Sequence, residues 1–293
     1  MLWCQPSPQG HAITANAASA KSQFCTGPNQ CVRKEQDAWR CLVLDMDLLE
    51  QWPEIVISPF GVVDKGNEDA TSSGRTVNDL SFPEGSSIND YTDQDSITKP
   101  DYRHCDAVAT EILRAKYNHP GAEIHVMADD VASAFRNVSI HSNSVYLFAG
   151  LIEEENALVI ELSAPFGWTG SPGFYEIFGG AISHIHGSHT NTICPTGFFN
   201  YHWVYDHINV TANIGSSCRE MDRSLRFAIV AILGADAIND KKFTAEKNSS
   251  DGASVITISS QRGSIVGNKF SGNYSYEASK AVHVVNSSLV AEG

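Results

Sequence analysis

Basic residues are the first shortage in this chain of 293. Twenty Lys and Arg stand against 34 Asp and Glu, a formal net charge of −14. A surface that grips phosphates needs an excess of Lys and Arg, so any such surface here has to be a local patch. Long apolar runs are also missing. None approaches the roughly 20 residues that cross a bilayer, and no membrane partner is expected. Met1–Gly10 has no charged region followed by an apolar stretch, so no secretory signal is read. Seven cysteines (Cys4, Cys25, Cys31, Cys41, Cys105, Cys194, Cys218) include no C-x-x-C pair. Their odd number favours reduced thiols over a disulfide framework, and an intracellular (cytoplasmic or nuclear) setting is expected. Asn-x-Ser/Thr triplets such as Asn137-Val138-Ser139 are then chance occurrences. There is no internal repeat.

What is present is an ordinary globular composition. A hydrophobic share of 42% and an aromatic share of 9% argue against wholesale disorder. The length suffices for one large domain or two modest ones. Residues 1–38 are polar and weakly patterned, and an irregular N-terminal extension is expected there. Residues 39–244 carry the patterned core, beginning with Trp39, Leu42, Leu44 and Ile55 as anchors. Residues 245–293 form a polar tail of Ser, Asn, Gly, Ala and Val without Trp, Cys or Pro.

Within the core, Ile55–Lys65 predicts a strand pair interrupted at Pro59. A polar loop Gly66–Gly74 follows, then a short strand in Arg75–Leu80. Cys105, Val108 and Ile112 mark a helix. Ile124, Val126, Ala128 and Asp130 alternate in phase, which puts Asp130 at the exposed end of a buried strand. Phe174, Phe178, Ala181, Ile182 and Ile185 predict one face of an amphipathic helix. Phe198–Val204 and His207–Val210 are β-prone runs meeting in a hairpin at Tyr205-Asp206. Met221, Leu225, Ala228, Ile229 and Ile232 mark a further helix that stops near Gly234.

Four segments carry chemistry. They are Gly74–Asp90, Asp130-Val131-Ala132-Ser133-Ala134-Phe135-Arg136, Ala164-Pro165-Phe166-Gly167-Trp168-Thr169-Gly170-Ser171-Pro172, and Tyr201–His207. In this order, over roughly Trp39–Thr244, they resemble the fingers and palm motifs of retrotransposon reverse transcriptases, RNA-directed DNA polymerases. The wording is closest to elements of eukaryotic microbes. The resemblance implies an α+β fold, with a palm of antiparallel strands backed by helices and a fingers subdomain formed mainly before Asp130. It also implies RNA or DNA primer–template and dNTPs as partners, and Mg²⁺ as cofactor. Two such ions roughly 3.5–4 Å apart activate the primer 3′-hydroxyl and shield the leaving pyrophosphate. Magnesium takes hard oxygen ligands and keeps waters, so a few converging carboxylates suffice.

By this resemblance Asp130 and Asp206 are the catalytic carboxylates, with the Val131 carbonyl as a further metal ligand. Lys65 and Arg75 match the fingers cations that hold the triphosphate through charge-assisted bonds. Lys242, with Lys241 as its alternative, matches the lysine near the pyrophosphate. Phe135 matches the aromatic that excludes a ribose 2′-hydroxyl, although by itself it reads as a core aromatic. Phe166 and Gly167 match the segment under the incoming nucleotide. Ser171 and Pro172 match the template-facing start of the following helix.

The sequence departs from the family pattern at the hairpin. Family members carry aromatic-x-Asp-Asp there. With Trp203 as the aromatic, Tyr205 takes the first Asp position and Asp206 the second. A phenol, with a pKa of about 10, is no substitute for a hard anionic ligand at neutral pH. Asp129 lies on the opposite face of its strand. Beyond Thr244 nothing resembles a primer grip, a thumb or a ribonuclease H domain. The resemblance therefore implies a degenerate polymerase with little activity. A non-catalytic nucleic-acid-binding remnant is the alternative. His184, His186, His189 and Cys194 offer a third reading, a zinc site of unfamiliar spacing.

Overall fold

The computed structural model describes residues 28–63, 75–97, 99, 105–240, 256–258, 283–285 and 288–290. Lys65, Lys241, Lys242, the polar loop Gly66–Gly74 and most of 245–293 lie outside the described residues, as does the side chain of Arg75. Helices are mixed with sheets whose strands pair antiparallel. The chain divides into two units. One joins Met1–Lys99 to Phe135–Tyr175, and the other joins Pro100–Ala134 to Glu176–Gly293.

The first unit is built on β1 (Cys41–Asp45), β5 (Ala149–Ile152) and β6 (Ala157–Glu161), in the order β1-β6-β5. All of Ala-Leu-Val-Ile-Glu in the central β6 is buried, as expected of a strand covered on both faces. Alternation sends Ala157 and Val159 to one side, against Val32, Cys41, Phe60 and Ile152. Leu158 and Ile160 go to the other, with Leu44, Leu49, Ile55 and Ile57 packed around them. β2 (Phe60–Val63) and β3 (Arg75–Asn78) form a separate pair, register Phe60↔Asn78.

The helix Pro28–Asp37 corrects the reading of 1–38 as irregular throughout. Its apolar content is slight, but Val32 is 4% exposed in the core cluster. Glu35 is tied to Arg136, whose Nε donates to Glu35 Oε2 at 2.9 Å and whose second guanidinium nitrogen donates to Glu161 Oε2 at 2.5 Å. Tertiary contacts, rather than propensity, hold this helix.

The second unit contains the sheet β7-β8-β4-β9, with β4 (Ile124–Asp130), β7 (Asn200–Trp203), β8 (Asp206–Ala212) and β9 (Ile256–Ile258). The helix Asp106–Asn118 covers one face. Ile112 and Ala115 meet Ile124, Val126, Val210 and Ala212 there. The other face is mostly polar although buried: Asp129, His207, Asn209 and Thr211 are at most 4% exposed, beside Met127, which packs on Met221 and Phe198. The helix Ser217–Leu233 buries Met221, Leu225, Ala228 and Ile229 as predicted, together with Asp222 and Ser224. It ends at Gly234, whose φ of +90° is open to glycine.

The helix Ser171–Ser188 turns a different face inward from the one its aromatics suggest. Ser171, Tyr175, Gly179, Ile182 and His186 are buried, while Phe174, Phe178, Ala181 and Ile185 are only partly so. In the second unit the cause is the polar partners that this helix meets: Gly179 makes room for His202, and His186 bonds Ser224 and Asn209.

Candidate functional site

The end of β4 and the β7–β8 hairpin meet in the second unit. Asp130 and Asp206 are direct partners in the β4–β8 register. The Val131 N–H donates to Tyr205 O at 3.1 Å, so Asp130 and Asp206 form a non-hydrogen-bonded pair. That is the closer of the two antiparallel arrangements, with both side chains on one face. Trp203 pairs with Asp206 on the other side and is 45% exposed. Val204 and Tyr205 form the two-residue turn between β7 and β8. Val204 sits at φ +53°, a strained position for a β-branched residue.

A histidine braces that turn. His202 Nε2 is 2.6 Å from Val204 O, and its ring stacks on His207 with centroids 5.0 Å apart. Room for His202 comes from Gly179, where a Cβ would collide with the imidazole. A glycine inside a helical pattern signals such close approach, so this contact had a trace in the sequence.

Asp130 is 7% exposed, which corrects its predicted position at an exposed strand end. The segment Ala237–Asp240 covers it. Val131 and Ile238 form a bridge, Ala132 N–H donates to Ala237 O at 2.9 Å, and Asn239 Nδ2 donates to Asp130 Oδ1 at 2.7 Å. Nothing in Ile238-Asn239-Asp240 as a sequence signals this role. Two opposed carboxylates are a donor set that Mg²⁺ takes together with waters. Among the described residues no group of three or more His, Cys, Asp or Glu stands where it could hold a metal ion.

The remaining residues that the family resemblance assigns to the polymerase site, where described, belong to the first unit. Phe135 is 5% exposed, with ring centroids 5.4 Å from Phe166 and 6.0 Å from Tyr175. Arg75 begins β3. At the other end of that strand, Asn78 N–H donates to Phe166 O at 3.2 Å. Gly167, at φ +105°, passes so close to Asn78 O that no Cβ would fit. Asn89 fastens this segment: its Nδ2 donates to Gly167 O at 2.8 Å, and its Oδ1 accepts from Thr169 N–H at 2.9 Å. Ser171 is 1% exposed and its hydroxyl donates to Pro165 O at 2.8 Å. That removes Ser171 from a template-facing surface and leaves the half-buried Pro172.

The zinc reading is corrected. His186 is fully buried between Ser224 Oγ (2.9 Å from Nδ1) and Asn209 Oδ1 (3.0 Å from Nε2), and burial lowers its pKa to about 4. His189 bonds Ile185 O and Cys194 contacts Thr211, while His184 is exposed. His184 and His186 lie on different sides of the helix and His189 follows its end, so the three histidines do not form a site.

No protein-family model and no curated protein matches the sequence. Among solved structures, the foamy viral protease-reverse transcriptase dRH in complex with ds DNA is a weak structural neighbour. Its TM-score is 0.47 and its identity 13%, over 79% of this chain and 32% of that one. The likeness does not fix a family. Among the described residues no helix is long and apolar enough to cross a membrane.

Proposed function

We propose that this chain is a reverse-transcriptase-like fingers and palm, descended from an RNA-directed DNA polymerase, in which Tyr205 impairs nucleotidyl transfer. The observation that carries the reading is the Asp130–Asp206 pair, opposed across β4 and β8 beside the turn that holds Tyr205. The order of the four motifs supports it.

In this reading Asp130, Asp206 and the Val131 carbonyl hold Mg²⁺. When bound, the ion activates the primer 3′-hydroxyl and shields the leaving pyrophosphate. Lys65, Arg75 and Lys242 hold the dNTP triphosphate. By the family resemblance, Phe135 matches the residue that limits the ribose side of the nucleotide, Phe166 and Gly167 match the segment under it, and Pro172 matches the template-facing start of its helix. Tyr205 takes the position of the leading carboxylate. A phenol is not the hard anionic ligand that a carboxylate is, so the site lacks one negative oxygen ligand where charge stabilisation carries most of the catalysis.

The test is a labelled primer–template retained on filters across a salt series, with Mg²⁺-dependent extension measured on the same preparation. Retention that falls steeply with salt, with little extension, is expected. Failure to retain primer–template even at low salt would sink the reading.

A further inference from the structure

We propose that Asn239 is a positioning residue for the Asp130 carboxylate, fixing its orientation opposite Asp206 for a divalent cation. This rests on the reading of Asp130 and Asp206 as a cation-holding pair. Asp130 is almost fully buried, and a buried carboxylate has to be hydrogen-bonded. Asn239 Nδ2 supplies a bond to Oδ1 at 2.7 Å, from 109 residues further along the chain.

The amide is itself held from two sides. On one, the Val131–Ile238 bridge and the Ala132-to-Ala237 bond fasten its backbone along the continuation of β4. On the other, Arg226 clasps the adjacent residue, donating to Asp240 Oδ1 at 2.6 Å, and reaches Asp222 Oδ2 at 3.2 Å within its own helix. The segment Ala237–Asp240 is thus a strap between the motif strand and the helix Ser217–Leu233, and Asn239 is its functional end. Partners of this kind, one shell out from a metal, typically contribute 10–100-fold to affinity.

The experiment titrates Mn²⁺ into the full chain and follows the free ion by electron paramagnetic resonance. Wild type is compared with Asn239→Ala, the near-isosteric Asn239→Leu and Asp130→Asn, and each fold is checked by near-ultraviolet circular dichroism. Expected are binding by wild type, its loss in Asp130→Asn, and an affinity about tenfold or more weaker in both folded Asn239 variants. Wild-type affinity in the Asn239 variants, with binding still lost in Asp130→Asn, overturns the positioning role and leaves the cation pair standing. No binding by wild type, or binding that survives Asp130→Asn, overturns the cation pair and the positioning role together. Loss of fold in both Asn239 variants makes Asn239 a structural brace and also overturns the proposal.

Discussion

Asp130 and Asp206 face each other as a non-hydrogen-bonded pair across two antiparallel strands, fixed by the bond from Val131 N–H to Tyr205 O. A one-residue slip of β8 against β4 would send one of the two carboxylates to the polar underside of the sheet. Whatever holds the hairpin in register therefore holds the site.

Gly179→Ala tests the brace beneath that hairpin. The added Cβ meets the His202 imidazole, which bonds Val204 O at 2.6 Å. Overpacking of this kind costs about 1–3 kcal/mol, more than the helix propensity gained by the change (at most ~1 kcal/mol). A lower urea midpoint is expected. An unchanged or higher midpoint would show that the imidazole moves aside freely.

His186 makes stability fall in mild acid. Burial between Ser224 and Asn209 holds its pKa near 4 in the folded chain, whereas an unfolded histidine titrates near 6.5 or so. Between those values the unfolded chain binds a proton that the folded chain does not. Stability from this residue is complete above about pH 6.5 and lost as pH falls towards 4, amounting to roughly 3 kcal/mol. Urea unfolding from pH 7.5 to 4.5 should show that slope, and His186→Gln should flatten it. Equal slopes in both proteins would contradict the assignment.

Arg136 sits between two carboxylates in the first unit, bonding Glu35, Glu161 and the Ser163 and Arg40 carbonyls. Burial raises the pKa of Glu161 and Arg136 opposes that rise. Arg136→Met leaves a buried carboxylate without its cation, and a loss of about 3–5 kcal/mol is expected. The double variant Arg136→Met, Glu161→Leu should recover most of it in denaturant unfolding. A double variant no more stable than the single one would contradict this coupling.

Legibility in the sequence followed how local each signal was. β4 and the helix Ser217–Leu233 have short-range patterns and stand where their patterns put them, while the hairpin turn falls at Val204–Tyr205, one residue before the expected Tyr205-Asp206, so that Asp206 opens β8. Asp130's burial was not legible, because it depends on Asn239, which shares no pattern with it. The inward face of Ser171–Ser188 was misread for the same reason: Gly179 and His186 are buried for partners on β7, β8 and the helix Ser217–Leu233, not for their own hydrophobicity. The polar helix Pro28–Asp37 was invisible without Arg136.

Mg²⁺-dependent primer extension by the unmodified chain beside Tyr205→Asp measures whether Tyr205 is what impairs nucleotidyl transfer. Restoring the carboxylate should raise extension by at least about a hundredfold, the scale on which single charge-stabilising groups act in such sites. The unmodified chain should extend little or not at all. Robust extension by the unmodified chain, or no gain from Tyr205→Asp, would contradict the account.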